Sequence, residues 1–210
     1  MTKVILAFDN NDADLGDYFE ESFTVLNANL SIVNGISIIP IRGLDCSEEN
    51  IITNALTADN KPFIFIGLSH GNEQQLLTEN EVYVDVENLF HFKYSLFYTP
   101  ACSTAVVLGK KLIEIGCSSF VGCNMDTWAT YEDFNSIYIE CENYCITEFL
   151  NSNCTIQEAF NNMLVFFDNQ IDSLYDKSND DILLAMELQH NKDSFVLYGN
   201  KSLRSTDFDI

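Results

Sequence analysis

Residues 62–71 read P-F-I-F-I-G-L-S-H-G, and residues 94–104 read Y-S-L-F-Y-T-P-A-C-S-T. Each is a short apolar run bounded by proline or glycine, the pattern of a strand buried on both faces of a parallel sheet. The first ends on Ser69-His70-Gly71. The second stops at Pro100 and leaves Cys102 just beyond it. Residues 104–115, T-A-V-V-L-G-K-K-L-I-E-I, have helical spacing that ends at Gly116. If the two strands are parallel neighbours, His70 and Cys102 emerge at the same carboxyl edge, where open α/β sheets place their sites.

That pairing has a direct chemistry. A cysteine at a strand-to-helix junction faces the positive end of the helix, which favours its thiolate. An imidazole nearby takes the thiol proton or delivers one to a leaving amine. Gly71 lets a carbonyl approach the backbone, and the N–H groups of Gly71 and Cys102 form a candidate oxyanion cradle. Singly, a structural histidine and a buried thiol would account for these residues. Together, at two strand ends and each beside a small residue, they favour a dyad.

Working outward, residues 3–8 form another buried strand, followed by an acidic loop at 9–14. Leu15, Tyr18, Phe19, Phe23 and Leu26 then share one helical face, with Asp12 or Asp14 as N-cap. Residues 35–41 predict a strand, placed at an edge by Pro40, and 47–56 a helix. The order βαβα before the His strand is that of a doubly wound sheet. Val82, Val84 and Val86 predict a small ribbon beside His70, and 118–123 a further core strand. A loop at 124–130 carries Asp126 and Trp128. Beyond it lies an amphipathic helix over Phe134, Ile137, Tyr138, Cys141, Cys145 and Phe149. Thr155 and Glu158 form a capping box for the next helix. Residues 176–181 read as a loop, 182–188 as a short helix, 195–198 as the closing strand and the remainder as a frayed tail.

The 210 residues suit one well-cored domain, expected to span 1–210. Apolar content of 47% with sixteen Phe and nine Tyr excludes wholesale disorder. Ten basic against thirty-two acidic residues give −22. Such a surface repels phosphate backbones and anionic lipid, so neither nucleic acid nor membrane is an expected partner; it attracts basic proteins or peptides, although such acidity more often serves solubility alone. No run of 18 apolar residues and no signal peptide is visible, which predicts a cytoplasmic location. Seven cysteines without a C-x-x-C fit free thiols in a reducing compartment. Cys141 and Cys145 fit a core stripe better than a metal pair. No strand leads into G-x-G-x-x-G or a Walker loop, so no metal or nucleotide cofactor is expected.

His-Gly after one hydrophobic strand and Ala-Cys after the next resemble the caspase-like cysteine peptidases, and within them the CHAT group, relatives of caspases, separase and gingipains. The stretches L-L-T-E-N-E-V-Y-V-D-V at 76–86, G-C-S-S-F-V-G-C-N-M-D-T-W at 116–128 and F-V-L-Y-G at 195–199 extend the likeness over most of the chain. P-A-C-S-T stands where caspases carry Q-A-C-x-G, and the His-to-Cys interval is shorter. The resemblance implies an α/β fold with a mostly parallel six-stranded sheet between helices. It implies a His70–Cys102 dyad and limited proteolysis of one protein partner, as in bacterial defence or cell-death systems, beside a sensor or a pore-forming substrate. It also implies a pocket for the residue before the cut, built from loops at the same edge. Asp126, then Asp9 or Asp12, are the candidate floor for an Arg or Lys, with Trp128 as wall. Arg42, at a strand's carboxyl end, leaves an Asp-binding pocket open. A caspase-fold binding module without turnover, an unrelated ligand-binding α/β domain and a cysteine amidase or acyltransferase are the competing readings.

Overall fold

The computed structural model describes residues 1–56, 62–129, 134–175 and 178–208. The first elements are β1 (Thr2–Phe8), α1 (Gly16–Ser31), β2 (Ile36–Arg42), α2 (Glu48–Leu56) and β3 (Ile64–Leu68). Three short strands follow, β4 (His70–Gly71), β5 (Gln75–Leu77) and β6 (Val82–Asp85). Then come β7 (Leu96–Tyr98), α3 (Leu108–Ile115), β8 (Ser119–Cys123), α4 (Asn135–Asn151), α5 (Ile156–Leu174), α6 (Asn179–Ser194) and β9 (Phe195–Gly199).

The central strands are apolar on both faces and therefore need cover on both. Val4, Leu6 and Phe8 of β1 join one core while Ile5 and Ala7 join the other, as the two-residue period of a strand requires. Residues of α1, α4, α5 and α6 build the first core, and those of α2 and α3 build the second. The sheet order is β2-β1-β3-β7-β8-β9, parallel except for β9, which runs antiparallel to β8. Pro40 lies in β2, the outer strand, where a missing N–H disturbs no second ladder. The expected six-stranded, mostly parallel sheet between helices is the architecture observed.

β3 pairs with β7 in parallel, Ile66 opposite Tyr98, so both strands open onto the same edge. His70 does not simply leave β3: it starts β4, the first strand of a separate antiparallel sheet, β4-β5-β6. The predicted ribbon is thus present and includes the histidine itself.

Three local expectations are corrected. Cys102 is not at a helix N-terminus, because residues 102–107 form turns and α3 starts only at Leu108. Tertiary bonds hold that turn: Ser103 N–H donates to Met125 O at 3.0 Å, Ala105 N–H to Cys123 O at 2.8 Å and Leu108 N–H to Glu73 O at 2.8 Å. Ser103 adopts φ 58°, outside any right-handed helix. A helix's field fades beyond its first turn, so it does not explain the cysteine. Secondly, α6 begins at Asn179, behind a capping box of Ser178 and Asp181, and runs well past the short helix expected. The acids read as loop are its first turn, where carboxylates complement the helix dipole. Thirdly, the tail is anchored through 208: Arg204 bridges Thr155, and the buried Phe208 meets Phe149 edge-on at 6.3 Å. Thr130 and residues 176–177 lie outside the described residues. All seven cysteines are free thiols, with Cys141 and Cys145 fully buried in the α4 stripe.

Candidate active site

The ends of β3 and β7 are tied together before either reaches the site. The Thr99 hydroxyl donates to Gly67 O at 2.8 Å, and Ala101 N–H donates to Thr99 Oγ1 at 3.2 Å. Across this junction the His turn lies directly on the Cys turn. A Cβ added at Gly71 would stand 2.8 Å from Ala101 Cβ and from Thr104 Cγ2, and 3.1 Å from Cys102 O. Only glycine allows that approach. Asn72 N–H donates to Gln75 O, which makes Gly71–Leu76 the non-hydrogen-bonded pair of the ribbon. The Gly71 N–H therefore points away from β5.

His70 Nε2 lies 3.2 Å from Asp12 Oδ2, and its ring meets Phe19 edge-on at 5.8 Å. Asp12 is itself fixed: its Oδ1 accepts from the N–H groups of Asp14 and Leu15 at 3.0 and 2.7 Å. Burial pushes the Asp12 carboxyl up, but the Leu15 and Asp14 N–H groups and then His70 outweigh it, leaving it below the ordinary carboxylate range. A ring that gives its Nε2–H to Asp12 keeps Nδ1 for proton transfer.

Cys102 is half-buried and held from the other side. Thr127 N–H donates to its Sγ at 3.3 Å, and Thr127 Oγ1 lies 3.6 Å from the sulfur while donating to Pro100 O at 3.3 Å. An N–H aimed at sulfur is a partner for the anionic form. The loop that brings Thr127 is clamped onto α6. Trp128 N–H donates to Asn191 Oδ1 at 2.9 Å, and Asn191 Nδ2 returns a bond to Trp128 O at 2.7 Å. The His190 ring stacks on Trp128 at 4.5 Å and its Nε2 pairs with Asp126 O at 2.7 Å.

His70 and Cys102 line one cavity of about 120 Å³, without a hydrogen bond between them. This volume is below the roughly 300–1,000 Å³ of cofactor and drug-sized clefts and suits a single side chain. Among the described residues its one carboxylate is Glu142 of α4, beside Tyr18 and Ser22 of α1. Tyr18 Oη donates to Glu142 Oε2 at 2.7 Å. Burial pushes the Glu142 carboxyl up to about 8, against the opposing pull of the Tyr18 hydroxyl.

The acids expected at the pocket floor are elsewhere. Asp9 is fully buried and accepts from Asn11 N–H at 3.2 Å and Glu79 N–H at 3.1 Å, clamping the end of β1 to the ribbon. Asp12 is engaged by His70, and Asp126 is exposed, accepting from Ser103 Oγ at 2.8 Å. None of the three lines the cavity, whereas Trp128 does, 47% exposed. Arg42 lies over the Phe8 ring at 5.9 Å and is not in the lining, which removes the structural ground for an Asp pocket. Sequence reasoning missed the Asp12–His70 pair, Thr127 and Glu142. For Glu142 a signal was present: it falls one turn after Tyr138 and on the same stripe as Cys145 and Phe149.

No family model matches the chain, and neither does any curated protein. Among solved structures it is similar to the Arg specific cysteine proteinase gingipain R (RGPB). The TM-score is 0.70 at 13% identity, over 96% of this chain and 47% of that one. The chain thus spans about half the length of that protein. An inactive zymogen C11 protease from Parabacteroides distasonis matches with TM-score 0.46 and 11% identity, over 85% of this chain and 68% of its own. The secreted C11 protease iotapain from Bacteroides thetaiotaomicron matches with TM-score 0.47 and 12% identity, over 85% and 72%. The gingipain likeness establishes the fold alone: the chain shares that protein's α/β architecture, a mostly parallel six-stranded sheet between helices.

Proposed function

We propose that the chain is a cysteine endopeptidase cutting after Arg or Lys, with Cys102 as nucleophile and His70 as proton donor and acceptor. The observation that carries this reading is the shared cavity: both side chains line it, each fixed by a partner from a different element. Cys102 sulfur attacks the scissile carbonyl, and the N–H groups of Gly71 and Cys102 receive the developing oxyanion. His70 gives its proton to the departing amine, leaving a thioester, and then takes a proton from the water that hydrolyses it. Asp12 positions the imidazole throughout.

Glu142, which lines the cavity where Asp126, Asp9 and Asp12 do not, supports the basic specificity. Tyr18 engages one of its oxygens, which leaves the other for a donor on the entering side chain. The Arg specificity of gingipain R agrees with this assignment. Limited proteolysis of a protein partner, of the CHAT type and within a defence or cell-death system, is the biological setting that fits the sequence resemblance.

The test is a peptide panel varied only at the residue before the scissile bond, run with Cys102→Ala alongside. Turnover after Arg or Lys, reduced by about 10³-fold or more in the variant, is the expected outcome. Cleavage confined to Asp or to neutral residues would overturn the pocket assignment. A wild-type rate matched by Cys102→Ala would overturn the nucleophile.

A further inference from the structure

Among the described residues, every hydrogen bond of the Cys102 sulfur goes to one residue, Thr127. The Thr127 N–H at 3.3 Å is the donor that favours the thiolate. Yet Thr127 stands in a loop whose Asn124, Met125, Asp126 and Trp128 are all exposed, so burial does not hold it. Strand pairing does not hold it either: the ladder of β8 with β9 ends at Cys123 opposite Phe195, before the loop begins.

What reaches the loop is the last turn of α6. Because β9 runs antiparallel to β8, the helix that feeds β9 ends at the edge where β8 delivers the loop. Asn124 N–H donates to Ser194 O at 2.9 Å at that corner. One turn earlier, Asn191 is fully buried, and both ends of its amide are spent on the Trp128 backbone. It accepts from Trp128 N–H at 2.9 Å and donates to Trp128 O at 2.7 Å. Two bonds to one residue fix its orientation as a neighbouring strand would. His190 adds the stack on Trp128 and the bond to Asp126 O. From the other side the Cys turn grips the same loop, Ser103 N–H on Met125 O and Ser103 Oγ on Asp126 Oδ1. Thr127 sits between the two sets of pins.

We propose that Asn191 is a positioning residue for Cys102: it holds Trp128 so that the neighbouring Thr127 N–H stays on the sulfur and supports the thiolate. Among the described residues, none of α6 lines the catalytic cavity, so the helix acts on the sulfur only through the loop. This role rests on the reading of Cys102 as the nucleophile, and it makes α6 part of what activates it.

Alkylation of Cys102 by iodoacetamide, followed on its peptide by mass spectrometry, tests the role without a peptide substrate. Asn191→Ala should slow the reaction about tenfold at about pH 7, the loss expected for one hydrogen bond to a charged acceptor. At about pH 10, where free thiols are ionised unaided, it should react at the wild-type rate. A merely structural role would instead loosen the loop, uncover the sulfur and speed alkylation at both pH values. His190→Phe keeps the aromatic stack but removes the bond to Asp126 O, and should slow alkylation about threefold at the lower pH alone. It decides the matter if circular dichroism shows Asn191→Ala to be unfolded. In the deciding variant, alkylation that is unchanged or faster at the lower pH, or slowed equally at both, would overturn the positioning role. Wild-type Cys102 no more reactive than the half-buried Cys154 would overturn the nucleophile itself, and this role with it.

Discussion

The floor of the candidate cavity and the rim just outside its lining each carry a carboxylate, and their surroundings push the two in opposite directions. Asp12 at the rim accepts two backbone N–H groups and faces His70, and it is held below the ordinary range. Glu142 on the floor has one hydroxyl partner and is buried, and its carboxyl is pushed up to about 8. Two acids at one candidate site are thereby set apart, a carboxylate kept ionised beside an imidazole and a buried one that holds its proton to higher pH. The contrast predicts that damage to the floor is selective for substrate, while damage to the rim is general.

The largest effect should come from the floor. Glu142→Gln is expected to lower kcat/KM for peptides with Arg or Lys before the cut by about 10³-fold, with little change for neutral residues there. Equal losses on all peptides would erase the distinction between rim and floor. Next is the seam joining the two turns. Gly71→Ala places a methyl group 2.8 Å from Ala101 and Thr104, and displacement of His70 from Cys102 should cost about 10²-fold on every substrate. Circular dichroism and thermal unfolding of the same variant would separate displacement from misfolding.

Asp12→Asn should reduce kcat roughly tenfold to hundredfold for all residues before the cut, leaving KM near its original value. A selective effect on Arg and Lys would move Asp12 back into the pocket. The proton on Glu142 supplies a pH signature. A basic side chain entering the floor favours the ionised carboxylate, so affinity for Arg and Lys peptides should increase as pH rises toward about 8. Glu142→Gln should abolish that dependence.

Stability gives the smallest and most direct test. Glu142 binds its proton more tightly folded than unfolded, so between about 4.5 and about 8 the folded state holds more protons. Its contribution therefore falls as pH rises through that window. Relative to wild type, Glu142→Gln should gain stability with pH by at most about 1.4 kcal/mol per unit, read by denaturant unfolding. A constant difference from pH 5 to 8 would show that burial does not hold the proton.

Much of the architecture was legible because its causes are local. Unbroken apolar runs at β1, β3, β7 and β8 leave a strand no exposed face, and Pro40 marked β2 as an edge. The Thr155–Glu158 box sits within four residues and was read directly. Where local propensity met a tertiary competitor, it lost. Helical spacing after Cys102 gave way to a turn bonded to Met125, Cys123 and Glu73. The tail looked frayed until Phe208 found Phe149.

The sequence by itself determined the strand cores, and with them that His70 and Cys102 would leave two strands at one edge, since hydrophobic periodicity acts over neighbouring residues. The tertiary structure decided which acids serve that edge. Asp12 reaches His70 across 58 positions of chain, and Tyr18 reaches Glu142 across 124. Contacts that distant leave no periodic trace; they exist only once the loop after β1, α1 and α4 have docked on the same face of the sheet.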